Sequence, residues 1–266
     1  MSADPDLVAH GFTEETVDVR GCGVHLLRGG AGRPLLYLHG GGAAGLWRRF
    51  HALLAERFEV YAPDHPGFGA SAERADVTDI AGLASHYLDL VARLELDRPV
   101  LVGASFGGRV ACEVVLREPT RVRRLVLLAP VGLEIPDHPV TPLFPRSREE
   151  ARGMLFHDQE LAERFSSGAE FGCVLGTDRD HGALRRFRDD GTPDLAPRLG
   201  GVAVPTLVIW GDHDRVVPPA HGERFAALVP GARLQTIPGC GHGLPFEAPA
   251  PVANAIAEFN EQGEIS

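Results

Sequence analysis

Short, almost wholly apolar runs recur along this chain: Arg33-Pro-Leu-Leu-Tyr-Leu, Glu59-Val-Tyr-Ala-Pro, Pro99-Val-Leu-Val-Gly-Ala and Leu125-Val-Leu-Leu-Ala-Pro-Val. Two more, Val204-Pro-Thr-Leu-Val-Ile-Trp-Gly and Ala232-Arg-Leu-Gln-Thr-Ile-Pro, follow near the end. Strands buried on both faces read as continuous apolar runs, as in parallel sheets covered by helices. Such runs alternate with helical stretches from about residue 17 to 131 and from about 203 to 260, which predicts an α/β fold with a mostly parallel twisted sheet flanked by helices. Between them the pattern fails. The stretch Arg148-Glu-Glu-Ala-Arg-Gly-Met-Leu-Phe-His-Asp-Gln-Glu-Leu-Ala-Glu-Arg-Phe reads as helical, with several prolines around it and no convincing buried strand. The expected organisation is one domain, with a core of residues 1–132 and 202–266 and an insertion of residues 133–201.

At 266 residues the chain is long enough for one large core, and its formal charge of −10 argues against a nucleic-acid binder. The arginine-rich spots Arg121 to Arg124 and Arg185 to Arg188 read as solvated faces. Cys22, Cys112, Cys173 and Cys240 have no metal-ligand spacing and read as unpaired thiols, with neither a zinc site nor a disulfide framework. The acidic start lacks the regions of a signal peptide, and no apolar run approaches the ~18 residues of a membrane span. The expectation is a cytoplasmic protein with a small-molecule substrate, no membrane partner, no cofactor and no metal.

Chemistry concentrates at the ends of the apolar runs. Pro99-Val-Leu-Val-Gly-Ala-Ser105-Phe-Gly-Gly-Arg-Val runs from a strand through G-x-S-x-G into a helix, a sharp reversal that pushes the Ser105 side chain out at the carboxyl end of the sheet. Gly103 and Gly107 leave room for the turn, and the helix start aims backbone N–H groups and positive potential beside the serine. A serine hydroxyl needs a base, and the base needs a third group to hold its tautomer. Asp214 follows the strand ending in W-G-x-x-D-x-x-x-P, with Asp212 two residues away as a competitor. His242, framed by glycines, follows the last strand. Upstream, His39-Gly40-Gly41-Gly42 ends a strand with a glycine run that can present N–H groups to an oxyanion, each donor worth ~3 kcal/mol in a transition state. The amides of Gly41 and Phe106 are the expected donors, with Gly42 able to share the duty.

These motifs, in the order Ser, Asp, His and spread from His39 to His242, make the chain resemble an α/β-hydrolase fold enzyme. The resemblance implies that residues 133–201 form a cap over the site, that His39 supports loop structure without moving protons, and that Asp64 and His65, in the turn Asp64-His-Pro-Gly67-Phe-Gly69-Ala-Ser, are structural, with His65 able to approach the pocket. It implies a serine hydrolase acting through an acyl-enzyme, most simply on a carboxylic ester. Thioesters, lactones or peroxy acids also fit the triad. The alternative is carbon–carbon hydrolysis of a vinylogous diketone, as in the meta-cleavage product hydrolases, whose His-Gly-Gly-Gly loop is similar. In that group tryptophan typically follows the base, where this chain has Gly243. A non-hydrolytic ligand-binding protein or a lyase on the same scaffold is the reading from another class.

Overall fold

The computed structural model describes residues 11–141, 147–167, 174–188 and 194–262. Cys173 and parts of the 133–201 insertion lie outside the described residues.

Strands β1 (Phe12–Val19) and β2 (Cys22–Gly30) form an antiparallel hairpin at one edge of an eight-stranded sheet. The other strands are β3 (Arg33–Leu38), β4 (Phe58–Pro63), β5 (Val100–Ala104), β6 (Arg124–Leu128), β7 (Thr206–Gly211) and β8 (Arg233–Ile237). The order is β1-β2-β4-β3-β5-β6-β7-β8, and every pair from β4 to β8 is parallel. All residues of β5, β6 and β7 are buried, as their mostly apolar runs lead one to expect, with Arg124 and Thr206 buried at the starts of β6 and β7.

Helices α1 (Arg49–Ala55), α2 (Ile80–Arg93) and α3 (Phe106–Arg117) cover the sheet with α7 (Ala220–Leu228) and α9 (Pro249–Glu261); α8 (Leu244–Glu247) is a single turn. The insertion contributes α4 (Arg148–Leu155), α5 (Gln159–Ser167) and α6 (Asp178–Arg188). Ser147 caps α4 by accepting the Glu150 N–H at 3.1 Å, and Glu149 and Glu150 suit the positive end of its dipole.

The helical stretch read from residue 148 to 165 is two helices, broken at Phe156–Asp158. There the Glu247 carboxylate accepts the His157 and Asp158 N–H groups at 2.7 and 2.6 Å, drawing the backbone out of the helical ladder. The Asp158 side chain then opens α5 by accepting the Glu160 and Leu161 N–H groups, both at 3.0 Å. Arg185 is exposed as expected, but one arginine in each arginine-rich spot departs from a solvated face. Arg124 is buried in β6 with its guanidinium 5.0 Å from the centre of the Phe259 ring, while Arg186 lies over Phe187 and pairs with Glu73. Cys22, Cys112 and Cys240 are free and buried, and burial pushes the Cys112 thiol up to about 12.

Asp64 anchors the turn after β4 from within the protein, at 1 % exposure. It accepts the N–H groups of Gly45 and Ala70 at 2.5 and 2.9 Å and faces His25 Nδ1 at 2.8 Å. Burial alone would raise its pKa, but the hydrogen bond from His25 and the other donors hold it below the ordinary carboxylate range. The same pairing pushes His25 up to about 9 against the opposing effect of burial. A raised histidine stabilises the fold fully below its unfolded value of about 6.5 and loses that contribution as pH climbs through the folded value. Thermal stability is therefore expected to fall between about pH 6.5 and 9, and His25→Gln to flatten that part of the profile; parallel melting curves across this range check it.

Candidate active site

Ser105 sits between β5 and α3 with φ 49° and ψ −113°, a left-handed conformation that is costly for a residue with a side chain. The surroundings hold it there. Its N–H donates to the Leu128 carbonyl at 2.8 Å, and its own carbonyl accepts from Gly108 and Val131 at 3.0 and 3.2 Å. The flanking glycines are required by close approach: a Cβ on Gly107 would lie 2.3 Å from the Leu38 carbonyl oxygen, and one on Gly103 2.5 Å from that of Gly107.

Three of the residues expected from the sequence meet here. Ser105 Oγ lies 3.0 Å from His242 Nε2, and His242 Nδ1 lies 2.8 Å from Asp214 Oδ2. The other Asp214 oxygen accepts the Val216 and Val217 N–H groups, both at 2.8 Å, so every part of the carboxylate is held. Asp212 does not compete. It bonds His213 at 2.6 Å and accepts the Cys240 N–H at 3.3 Å, bracing the turn between β7 and the histidine loop. All three triad side chains are at most 8 % exposed, so a charge forming on the imidazole would do so beside the carboxylate and away from water.

The glycine run lies across from the serine. A Cβ on Gly40 would sit 3.5 Å from Ser105 Cβ, while Gly41 and Gly42 face the insertion, with Leu184 and the Val174 carbonyl at 2.7 and 2.5 Å from the corresponding positions. Among the described residues no protein acceptor takes the N–H groups of Gly41, Gly42 or Phe106. His39 packs behind the loop, its Nδ1 2.7 Å from the Gly40 carbonyl and 3.2 Å from that of Gly42. His65 is fully buried behind it and does not line the pocket.

A chamber of about 790 Å³, counting its open mouth and the solvent in it, lies over Ser105 and His242. The insertion supplies much of its wall, including Met154, Leu155, Phe156 and Leu184. Among the described lining residues none carries a charged side chain apart from His242 when it is protonated. Next to His242, Gly243 donates its N–H to the Leu155 carbonyl at 2.8 Å, and a Cβ there would meet the Phe156 ring at 3.7 Å, so an insertion aromatic fills the space beside residue 243.

Two contact sets that the sequence does not announce tie the insertion to the histidine loop and to the turn after β4. Glu247 accepts the Gly241 N–H at 2.6 Å with the carboxylate that also receives His157 and Asp158, joining the histidine loop to the α4–α5 junction. Asp180, 1 % exposed, accepts the Gly69 N–H at 2.8 Å, while Arg179 donates to the Gly67 and Ser71 carbonyls at 3.0 and 2.5 Å. Nothing at these acidic and basic positions distinguishes them in the sequence from surface charges.

A sequence model of the alpha/beta hydrolase family matches residues 35–255, and the chain belongs to that family. It is 32% identical over 250 residues to a 2-hydroxy-6-oxo-6-phenylhexa-2,4-dienoate hydrolase of Burkholderia cepacia, covering 84% of this chain and 86% of the relative. It is 30% identical over 254 residues to a 2-hydroxymuconate semialdehyde hydrolase of Pseudomonas sp. strain CF600, covering 89% and 90%. Among solved structures, a membrane phospholipase A described as a bacterial virulence factor superposes with a TM-score of 0.79 at 28% identity, covering 94% of this chain and 86% of the other. No helix among the described residues is long and apolar enough to cross a membrane.

Proposed function

We propose that this hydrolase cleaves a carbon–carbon bond beside a ketone in a vinylogous diketone, by the chemistry of meta-cleavage product hydrolases, with Ser105 as nucleophile. The supporting observation is the hydrogen-bonded line Ser105, His242, Asp214 at 3.0 and 2.8 Å, in a family whose named relatives here include two such enzymes. The simplest inference from the sequence, a carboxylesterase, draws less support from those relatives.

In the proposed reaction His242 takes the Ser105 proton as Oγ attacks the ketone carbon, and Asp214 steadies the imidazolium. The amides of Gly41 and Phe106 hold the oxyanion. Collapse breaks the bond between the acyl carbon and the methylene carbon of the diketone form, which a dienol substrate reaches by moving its enol proton to that carbon, and the electron pair leaves as a dienolate that His242 protonates. Water, deprotonated by His242, then attacks the acyl-enzyme; the acid is released and Ser105 regains its proton. Residues 133–201 act as the cap, shaping the chamber and excluding water.

One observation favours ester hydrolysis as a second reading. A dienoate carries a carboxylate, and the described chamber wall offers it no cationic side chain, whereas a neutral ester needs none. Comparing kcat/KM for 2-hydroxy-6-oxo-6-phenylhexa-2,4-dienoate and for p-nitrophenyl butyrate separates the two. The carbon–carbon reading expects the dienoate to be favoured at least about tenfold, a difference of ~1.4 kcal/mol in transition-state stabilisation. The reverse preference establishes the ester reading, and turnover of neither by folded enzyme overturns both.

A further inference from the structure

Behind the glycine loop lies a fully buried line of hydrogen bonds. Tyr87, on α2, places its hydroxyl 2.5 Å from His65 Nδ1. His65 Nε2 lies 2.8 Å from the His39 carbonyl, and the His65 backbone N–H donates to His39 Nε2 at 3.0 Å. His39 Nδ1 faces the Gly40 and Gly42 carbonyls. Exposure is 0 % for His65 and Tyr87 and 3 % for His39, so no water substitutes for a lost partner without rearrangement.

These partners fix both tautomers. An imidazole nitrogen facing a carbonyl must carry a proton, and one receiving an N–H must not. His39 is therefore protonated on Nδ1 and donates to the loop; His65 is protonated on Nε2, and its Nδ1 accepts the Tyr87 hydroxyl. Burial pushes both imidazoles below the ordinary histidine range, in keeping with neutral rings.

The consequence reaches the chamber through peptide geometry. In a trans peptide the carbonyl of one residue and the N–H of the next point in opposite directions. With the Gly40 carbonyl turned back to His39, the Gly41 N–H is turned away from it, and Gly41 lines the chamber while His39 does not. His65 also packs edge-on against Phe106, whose amide is the other proposed donor, with ring centres 5.3 Å apart. One buried ring thus packs directly on Phe106 and, through His39, holds the Gly40 and Gly42 carbonyls on either side of Gly41.

We propose that His65 and Tyr87 are positioning residues for the oxyanion hole, aligning the Gly41 and Phe106 amides through His39 and the Phe106 ring. The inference rests on Ser105 being the nucleophile and those amides being the donors. Its signature is a loss confined to the tetrahedral, negatively charged state, because misaligned donors weaken that state and leave binding of a neutral carbonyl almost untouched.

The test uses Tyr87→Phe, His65→Leu and His65→Gln, the last retaining a side-chain N–H donor. Each is titrated with a fluorophosphonate so that kcat is expressed per labelled serine, and the inhibition constant of phenylboronic acid, which forms a tetrahedral anion, is measured beside KM. Expected are a roughly 10-fold fall in kcat for Tyr87→Phe and about 100-fold for His65→Leu, with KM within about twofold. Boronate affinity should weaken in step with kcat, and His65→Gln should recover most of the loss. Unchanged kcat per labelled site, or a fall in kcat without weaker boronate binding, overturns the proposal. Should His65→Leu fail to fold, Tyr87→Phe decides alone. A wild-type enzyme that turns over substrate without labelling at Ser105 removes the underlying nucleophile assignment, and this proposal with it.

Discussion

Ser105→Ala is expected to lower kcat by about 10⁴-fold or more while leaving the melting temperature within a few degrees of wild type. The hydroxyl makes one hydrogen bond in the site, 3.0 Å to His242 Nε2, and its loss leaves Asp214 still holding the imidazole at 2.8 Å. The elbow itself depends on backbone contacts to Leu128, Gly108 and Val131, which alanine keeps. Alanine also takes on the same left-handed strain as serine, so the fold gains no relief from the change. The separation of a large kinetic effect from a small thermal one marks chemistry at the hydroxyl; steady-state kinetics and differential scanning calorimetry on matched samples measure the two.

Gly107→Ala should do the opposite and damage the fold first. Its Cβ would stand 2.3 and 2.4 Å from the carbonyl oxygens of Leu38 and His39. Both are backbone atoms of β3 and of the entry to the glycine loop, so relief requires α3 or β3 to shift. Overpacking of this kind costs about 3 kcal/mol, the upper part of the usual range. The displaced segment leads directly into Gly40 and Gly41, so the folded fraction should also lose about 100-fold in kcat, as misplacement of ~1 Å does at other sites. Urea unfolding reads the first effect, and kcat per fluorophosphonate-labelled serine reads the second. A variant with wild-type stability would contradict the packing described for the elbow.

The parts of this protein legible in the sequence are those whose steric demands are local. A strand that must reverse within a residue and admit another backbone writes itself as Gly103, Ser105 and Gly107, and strands covered on both faces write themselves as apolar runs. Asp214 could be preferred over Asp212 on the motif W-G-x-x-D-x-x-x-P alone; Asp212 also reaches the histidine loop, at the Cys240 N–H, and it is Asp214 that meets His242. What stays hidden depends on partners far along the chain. The break at Phe156–Asp158 exists because Glu247, about ninety residues later, captures two amides there. His25 and Asp64 meet through the pairing of β2 with β4, and Arg179 and Asp180 grip a turn more than a hundred residues earlier. Arg124 looks like part of a charged surface until Phe259 and the Gln262 carbonyl receive its guanidinium. Tyr87 reads as one more core aromatic of α2, since its hydroxyl partner lies in the turn after β4. The choice between carbon–carbon and ester cleavage was equally beyond the motifs, which supply the same nucleophile to both.

The most direct test of the central assignment is peptide mapping by mass spectrometry after brief exposure of the wild-type enzyme to a fluorophosphonate. An activated serine predicts a single adduct, on Ser105, absent from Ser105→Ala. A folded wild-type protein that gains no adduct, or gains one on another residue, contradicts it.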